Sequence, residues 1–261
     1  MATRRVTRSF VPNLLTTANL FTGFASIVYA SMGDYERAAF FILLGAFFDM
    51  MDGLTARMIN AASEFGGELD SLCDVVTFGI APSYLLYEIY FYQYDELGIF
   101  FASFPAIMGA LRLARFNVQL SSFEDKKYFT GFPIPSSALI ICSYLIYYHL
   151  DDSISPKSKD FLAFFVTIAT SLAMISTIKY RNIPRPSLRN IKSKPVLHIG
   201  FILIIVAVII SKGFLLFPFM LVYLVISAIL HIYKWLRKGD TLERSLEEFD
   251  DDDYENENDY N

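Results

Sequence analysis

The 261-residue chain is 54% hydrophobic and 16% aromatic, and it carries a formal net charge of −5. Several apolar runs approach or exceed the roughly 20 residues that cross a bilayer core, so the composition predicts an all-α integral membrane protein rather than a soluble domain. The negative charge lies at the end of the chain, because residues 237–261 carry a local balance of −8 and leave +3 for the other 236 residues. This distribution does not support nucleic-acid binding.

Apolar runs separated by polar residues predict a polytopic helical bundle. The expected spans, in chain order, lie at about residues 12–32, 37–60, 68–92, 98–119, 134–150, 161–180, 198–213 and 214–236. The last boundary is the weakest, because Ser211, Lys212 and Gly213 supply only a tight turn. A single kinked element over residues 198–236 would reduce eight spans to seven.

The basic residues predict the orientation of this bundle. With the amino terminus inside, 18 Lys and Arg residues fall on the inner side and four on the outer side, as the positive-inside rule requires. We expect residues 1–236 to form one transmembrane domain with its functional core at about 12–140. We expect residues 237–261 to form an acidic cytosolic tail that is disordered, because it cannot bury enough apolar surface to fold alone.

Four aspartates in the second and third predicted helices have a spacing that turns them toward one point at the cytosolic end. Asp49 and Asp52 are three residues apart and share one helix face. Asp70 and Asp74 are four residues apart and share a face of the next helix. Each acid costs roughly 2.5 to 3.5 kcal/mol to insert into hydrocarbon, and Arg57 alone cannot neutralise four. Divalent cations are therefore the expected counter-charges.

The residues between these aspartates suit phosphoryl transfer at a two-metal site. Two Mg2+ or Mn2+ ions about 4 Å apart can bind a pyrophosphate and stabilise both the attacking and the leaving oxygen. Gly53 and Gly66 allow a flat nucleotide to approach the backbone, and Ala56 keeps the same face shallow. Arg57 suits a phosphate oxygen or a supporting carboxylate, although an interfacial Arg with no ligand is also common.

The pattern D-x2-D-G-x2-A-R-x8-G-x3-D-x3-D runs from Asp49 to Asp74 with all eight defined positions filled. This pattern resembles the signature of the CDP-alcohol phosphotransferase family. The resemblance implies that Asp49, Asp52 and Asp70 are metal ligands. It implies that Asp74 is a metal-associated carboxylate that also acts as general base on the acceptor hydroxyl, and that the protein is a homodimer.

Polar side chains interrupt the first predicted helix. Because this region borders the nucleotide pocket in the family, we expect Asn13, Thr16 or Thr17 to lie near the cytidine. Thr16 and Thr17 can instead hydrogen-bond to the backbone of their own helix. Asn13 and Asn19 have no such simple explanation.

Three further runs resemble the phosphatidylserine synthase branch of the family, at residues 75–82, 112–117 and 131–138. An L-serine acceptor needs groups for its carboxylate and its ammonium. Arg112 and Arg115 can bind the carboxylate, and Asn117 can accept from the ammonium. Lys126 and Lys127 can alternatively hold the serine carboxylate or a lipid phosphate. Arg112 and Arg115 are equally well explained as topology anchors.

The resemblance implies transfer of a phosphatidyl group from CDP-diacylglycerol, or of its ether counterpart from CDP-archaeol, to the hydroxyl of L-serine, with CMP released. The same chemistry with glycerol 3-phosphate or inositol phosphate as acceptor is the alternative within the family. A cation transporter is the alternative outside it, because intramembrane acids often mark ion pathways. Transport favours acids distributed near the midplane, whereas these four gather at one cytosolic end.

Overall fold

The structure is a computed structural model that describes residues 2–59, 63–121, 131–178 and 195–233. Every regular element within these ranges is helical, which confirms the all-α prediction. In chain order the α-helices are α1 (Ala2–Ser31), α2 (Tyr35–Met58), α3 (Glu64–Asp74), α4 (Ala81–Ile89), α5 (Asp95–Ala102), α6 (Phe104–Ser121), α7 (Ile134–Tyr144), α8 (Pro156–Ile175), α9 (Pro195–Ile210) and α10 (Leu216–Tyr233). Two π-helical segments, Val75–Ile80 and Leu145–His149, continue α3 and α7, and a 3-10 turn occupies Phe91–Tyr94.

Six helical stretches in the described residues are long and apolar enough to cross a membrane, so the chain is a multi-pass membrane protein. They are Phe10–Ser31, Tyr35–Met58, Glu64–Ile89, Phe91–Val118, Pro156–Ile175 and Leu216–Tyr233. They coincide with six of the eight predicted spans. The other two predicted spans, 134–150 and 198–213, contain the shorter helices α7, with its π-helical extension, and α9. The number of membrane crossings therefore stays a prediction.

A turn separates α9 from α10 at the boundary that the sequence left open. Lys212 and Gly213 both have positive φ, at 53° and 94°, and Gly213 N donates to Val208 O over 2.9 Å. Helix α9 is therefore followed by residues in the left-handed conformation, which glycine favours. The segment is therefore two helices rather than one kinked helix.

The described part of Met1–Leu221 forms one compact unit, and the described part of Val222–Asn261 forms a second.

In the first unit, α1 has one polar face and one apolar face, as expected of a helix with protein on one side and lipid on the other. The side chains of Asn19, Thr22 and Ser26 are buried along one face. Phe21 and Phe24 are more than 60% exposed. The face that packs against protein is therefore the polar one.

Close contact between α1, α2 and the π-helical segment after α3 depends on Gly45. A Cβ atom at Gly45 would collide with Thr77 and would lie 2.8 Å from Thr22 Oγ1 and 2.9 Å from Asn19 Oδ1. A glycine at this point lets the backbones approach, as small residues do between membrane helices. The polar face of α1 is thereby brought against the two helices that carry the aspartates.

Candidate active site

Three carboxylates from two helices converge at the centre of the site. Asp49 of α2 and Asp70 and Asp74 of α3 each offer one oxygen, and these oxygens all lie within 4.8 Å of one another. Asp74 is only 7% exposed, and Asp49 and Asp70 are half-buried. Asp70 Oδ1 is buried and has no hydrogen-bond partner. A buried oxygen without a partner is costly, and the atoms available to bind an ion are all carboxylate oxygens. The cluster therefore fits a hard divalent cation.

Asp52 lies one helical turn from Asp49 in α2. It is not one of the three aspartates whose oxygens lie within 4.8 Å of one another. Its side chain is 5% exposed, and its Oδ2 accepts a hydrogen bond of 2.7 Å from Thr16 Oγ1 of α1. Its charge acts on the carboxyl groups of Asp49 and Asp70. The structure therefore brings all four predicted aspartates together, and Asp52 is hydrogen-bonded to α1.

Asn19, also from α1, contacts Asp74. Asn19 Nδ2 donates to Asp74 Oδ1 over 3.2 Å, and the Asn19 side chain is fully buried. The sequence marked Asn19 as an unexplained polar residue but did not place it among the site residues. Since its partner is 55 positions away, no local spacing identifies this contact.

The face of α2 beside the aspartates is open at Gly53. A Cβ atom there would meet only Arg57 Nη2, at 3.9 Å. Arg57 is exposed and Ala56 is half-buried. The surface next to Asp49 and Asp52 is thus shallow and bordered by one cation, and the binding of a nucleotide there stays a prediction.

The start of α3 forms the neighbouring surface. Ser63 caps the helix by accepting a hydrogen bond of 3.0 Å from Gly66 N. A Cβ atom at Gly66 would lie 3.3 Å from Asn13 Oδ1, so the Asn13 side chain from α1 reaches this glycine. The hydroxyl of Thr17, in contrast, donates to the Asn13 carbonyl of its own helix over 2.8 Å and is exposed.

The two arginines of α6 have different surroundings. Arg112 is half-buried, its Nε atom has no hydrogen-bond partner, and its charge interacts with Asp74. Arg115 Nη1 donates to Ile175 O over 2.8 Å, and its Nη2 donates to Ser176 O over 3.3 Å. Arg112 is therefore close enough to Asp74 for their charges to interact, whereas the guanidinium of Arg115 binds the last carbonyl groups of α8.

Asn117, near the end of α6, bridges to α3. Its Nδ2 lies 3.2 Å from Glu68 Oε2 and 3.1 Å from Ser71 Oγ. Glu68 and Ser71 are three residues apart and share a face of α3 next to the face that carries Asp70 and Asp74. The remaining predicted serine contacts, Lys126 and Lys127, lie outside the described residues.

The fold and the site together define a multi-pass helical membrane protein with a carboxylate centre suited to a divalent cation. Residues 9–236 match the CDP-alcohol phosphatidyltransferase family, and the chain belongs to that family. The resemblance seen in the sequence pattern is thus confirmed.

Three relatives show which members of this family the chain is similar to. A CDP-diacylglycerol–serine O-phosphatidyltransferase of Helicobacter pylori is 36% identical over 175 residues, which are 66% of this chain and 71% of the relative. A protein of the same name from Bacillus subtilis is 32% identical over 185 residues, covering 71% and 97% of the two chains. An archaetidylserine synthase of Methanothermobacter thermautotrophicus is 34% identical over 172 residues, covering 65% and 69%.

Proposed function

We propose that this protein transfers the phosphatidyl group of a CDP-lipid to the hydroxyl of L-serine and releases CMP. The observation that carries the proposal is the convergence of Asp49, Asp70 and Asp74 within 4.8 Å, beside the open surface at Gly53. Relatives that are 32–36% identical bear the names of serine transferases with phosphatidyl and archaetidyl products. The lipid donor is CDP-diacylglycerol or CDP-archaeol.

The four aspartates are the proposed ligands of two divalent cations, Mg2+ or Mn2+. When bound, such ions supply the positive charge that holds a pyrophosphate and stabilises the departing CMP. The buried, unpartnered Asp70 Oδ1 supports this assignment. Thr16 contributes by fixing the Asp52 carboxylate through its hydrogen bond of 2.7 Å.

The CDP end of the donor is proposed to lie over Gly53, Ala56 and Gly66. The open space at Gly53 accommodates a flat group close to the helix backbone. Asn13 reaches Gly66 and is the side chain of α1 that we assign to the cytidine, because the Thr17 hydroxyl bonds to its own helix. Arg57 is assigned to a phosphate oxygen.

In the proposed reaction the serine oxygen forms a bond to the lipid-side phosphorus, and the bond from that phosphorus to CMP breaks. The proton of the serine hydroxyl passes to Asp74, which acts as general base. Arg112 binds the serine carboxylate, an assignment supported by its unpartnered Nε and by its charge interaction with Asp74. Asn117 is assigned to the ammonium, and Arg115 to the end of α8.

The proposed location is the cell membrane, with the active site facing the cytoplasm. The aspartates lie near the end of α2 and the start of the next span, which the distribution of basic residues assigns to the inner side. The homodimer implied by the family resemblance is part of the same proposal, and cross-linking of the purified protein in detergent tests it.

The experiment that tests the function is CMP release by the purified protein in detergent with CDP-diacylglycerol and Mn2+ or Mg2+. L-serine, glycerol 3-phosphate, inositol phosphate and no acceptor are compared, and CDP-archaeol is tested as a second donor. Release that requires both serine and metal is the expected result. Release with another alcohol would change the acceptor and keep the chemistry, whereas no release with any acceptor would contradict the proposal and favour the transporter alternative.

A further inference from the structure

We infer that Asn19 is a positioning residue that fixes the orientation of the Asp74 carboxylate. The inference rests on the proposed function, in which Asp74 receives the serine proton. Asn19 Nδ2 lies 3.2 Å from Asp74 Oδ1. Because an ionised carboxylate can only accept, the amide must present its N–H to Asp74. One carboxylate oxygen is thus held against α1, and the other is left for the reacting groups.

The Asn19 side chain has one orientation available to it. It is fully buried, and its Oδ1 has no hydrogen-bond partner and lies against Gly45, where a Cβ atom would be 2.9 Å away. Rotating the amide by half a turn would place Oδ1 against the Asp74 carboxylate. Two acceptors would then face each other between two buried side chains, which is costly. The hydrogen bond to Asp74 therefore determines the orientation of the Asn19 amide.

The backbone of Asn19 is held by the helical segment that directly follows Asp74. Thr77 Oγ1 donates to Asn19 O over 2.9 Å. Thr77 lies in the π-helical segment Val75–Ile80, which begins directly after Asp74. It can approach α1 because residue 23 is glycine, where a Cβ atom would lie 2.8 Å from Thr77 Cα.

Asn19 therefore makes two connections from α1, one to the last residue of α3 and one to the π-helical segment that follows it. The side chain of Asn19 holds Asp74, and its carbonyl group accepts from Thr77 one helical turn later. A catalytic group held by a supporting hydrogen bond keeps its productive geometry before the substrate arrives. This assigns a role in the reaction to a residue that lies outside the aspartate signature.

A purely structural role for Asn19 makes a different prediction. A hydrogen bond between two membrane helices contributes only modestly to their association. If Asn19 only held α1 against α3, its loss would lower thermal stability and leave the folded protein with normal metal affinity and turnover. A positioning role instead predicts that both properties change in protein that remains folded.

The test uses Asn19→Leu, which keeps the branched shape of the side chain and removes the donor. Mn2+ binding is measured by electron paramagnetic resonance without substrates, and kcat and KM are measured by CMP release. Loss of a hydrogen bond to a metal-binding carboxylate typically lowers metal affinity or activity by about 10- to 100-fold, and we expect this range for Mn2+ affinity or kcat. The KM for serine should stay within about threefold, because Arg112 and Asn117, which make the charge-assisted contacts, are unchanged. Ser26→Ala, which removes a buried hydroxyl without a partner from the same helix, should match wild type in every readout.

Wild-type Mn2+ affinity and kcat in folded Asn19→Leu protein would overturn the inference. A decrease that only parallels the loss of folded protein, followed by thermal melting, would also overturn it. Should Asn19→Leu fail to fold, Asn19→Ala provides the same two measurements, since it introduces no larger group. Failure of the wild type to release CMP with serine would contradict the proposed function, and the Mn2+ titration would still decide the role of Asn19.

Discussion

Thr16 Oγ1 donates a hydrogen bond of 2.7 Å to Asp52 Oδ2, and both side chains are almost completely buried. The contact joins α1 to α2 beside the carboxylate cluster. Hydrogen bonds to an ionised acceptor are shorter and stronger than neutral ones. The first helix, which has no acidic residue, is therefore part of the site's geometry.

Replacing Thr16 by Val should reduce CMP release, because Val keeps the shape and removes the donor to Asp52. A hydrogen bond to a charged group contributes about 1.5 to 3 kcal/mol, so we expect a decrease of roughly tenfold or more. Thr167→Val is the matched control, since that buried hydroxyl donates over 2.8 Å to Ala163 of its own helix. Equal losses in the two variants would show that the Thr16 effect is general to buried hydroxyls.

Asp74→Asn should lower kcat by about two to four orders of magnitude, the usual contribution of a general base. The substitution preserves size, so thermal melting in detergent should change little. Asp152→Asn, at an exposed position, controls for the loss of one negative charge. Near-normal kcat in Asp74→Asn would remove Asp74 from the role of base.

The two arginines of α6 should respond differently to replacement by Gln. Arg112→Gln should raise the KM for serine by about tenfold, as expected when one charge-assisted hydrogen bond is lost, and leave the KM for the CDP-lipid unchanged. Arg115→Gln should instead lower the melting temperature, because Arg115 donates to Ile175 O and Ser176 O at the end of α8. A selective rise in serine KM for Arg115→Gln would return Arg115 to the serine site.

Gly131→Ala should destabilise the protein more than Gly33→Ala. Both glycines have positive φ, at 89° and 77°, so each substitution costs about 1 to 2 kcal/mol of backbone strain. Only at Gly131 would the new Cβ atom also collide with Met174 O, whereas Gly33 has nothing within 4 Å. Melting temperatures in detergent provide the comparison, and equal decreases would contradict the crowding seen at Gly131.

The sequence predicted the helical architecture and the aspartate cluster because both depend on local spacing. Runs of apolar residues define membrane helices, and carboxylates three or four positions apart share a face. Asp49, Asp70 and Asp74 needed only one further condition, that α2 and α3 bring these three side chains to the same point. The eight-residue signature supplied that condition through the resemblance to the family.

The partners of individual polar side chains were beyond sequence reasoning because they depend on tertiary packing. Asn19 meets Asp74 only because Gly45 and Gly23 allow α1 to approach closely. Arg112 and Arg115 are three residues apart and looked equivalent in the sequence. The position of α8 relative to α6 directs Arg115 to the carbonyl groups at the end of α8.

The most direct test of the account is transfer of isotope-labelled L-serine into lipid by the purified protein with CDP-diacylglycerol and Mn2+, analysed by mass spectrometry of the organic phase. We expect one phosphatidylserine formed for each CMP released, no product after chelation of the metal, and almost none with Asp74→Asn. CMP release without serine in the lipid would contradict serine transfer, because it would show that water or another alcohol is the acceptor.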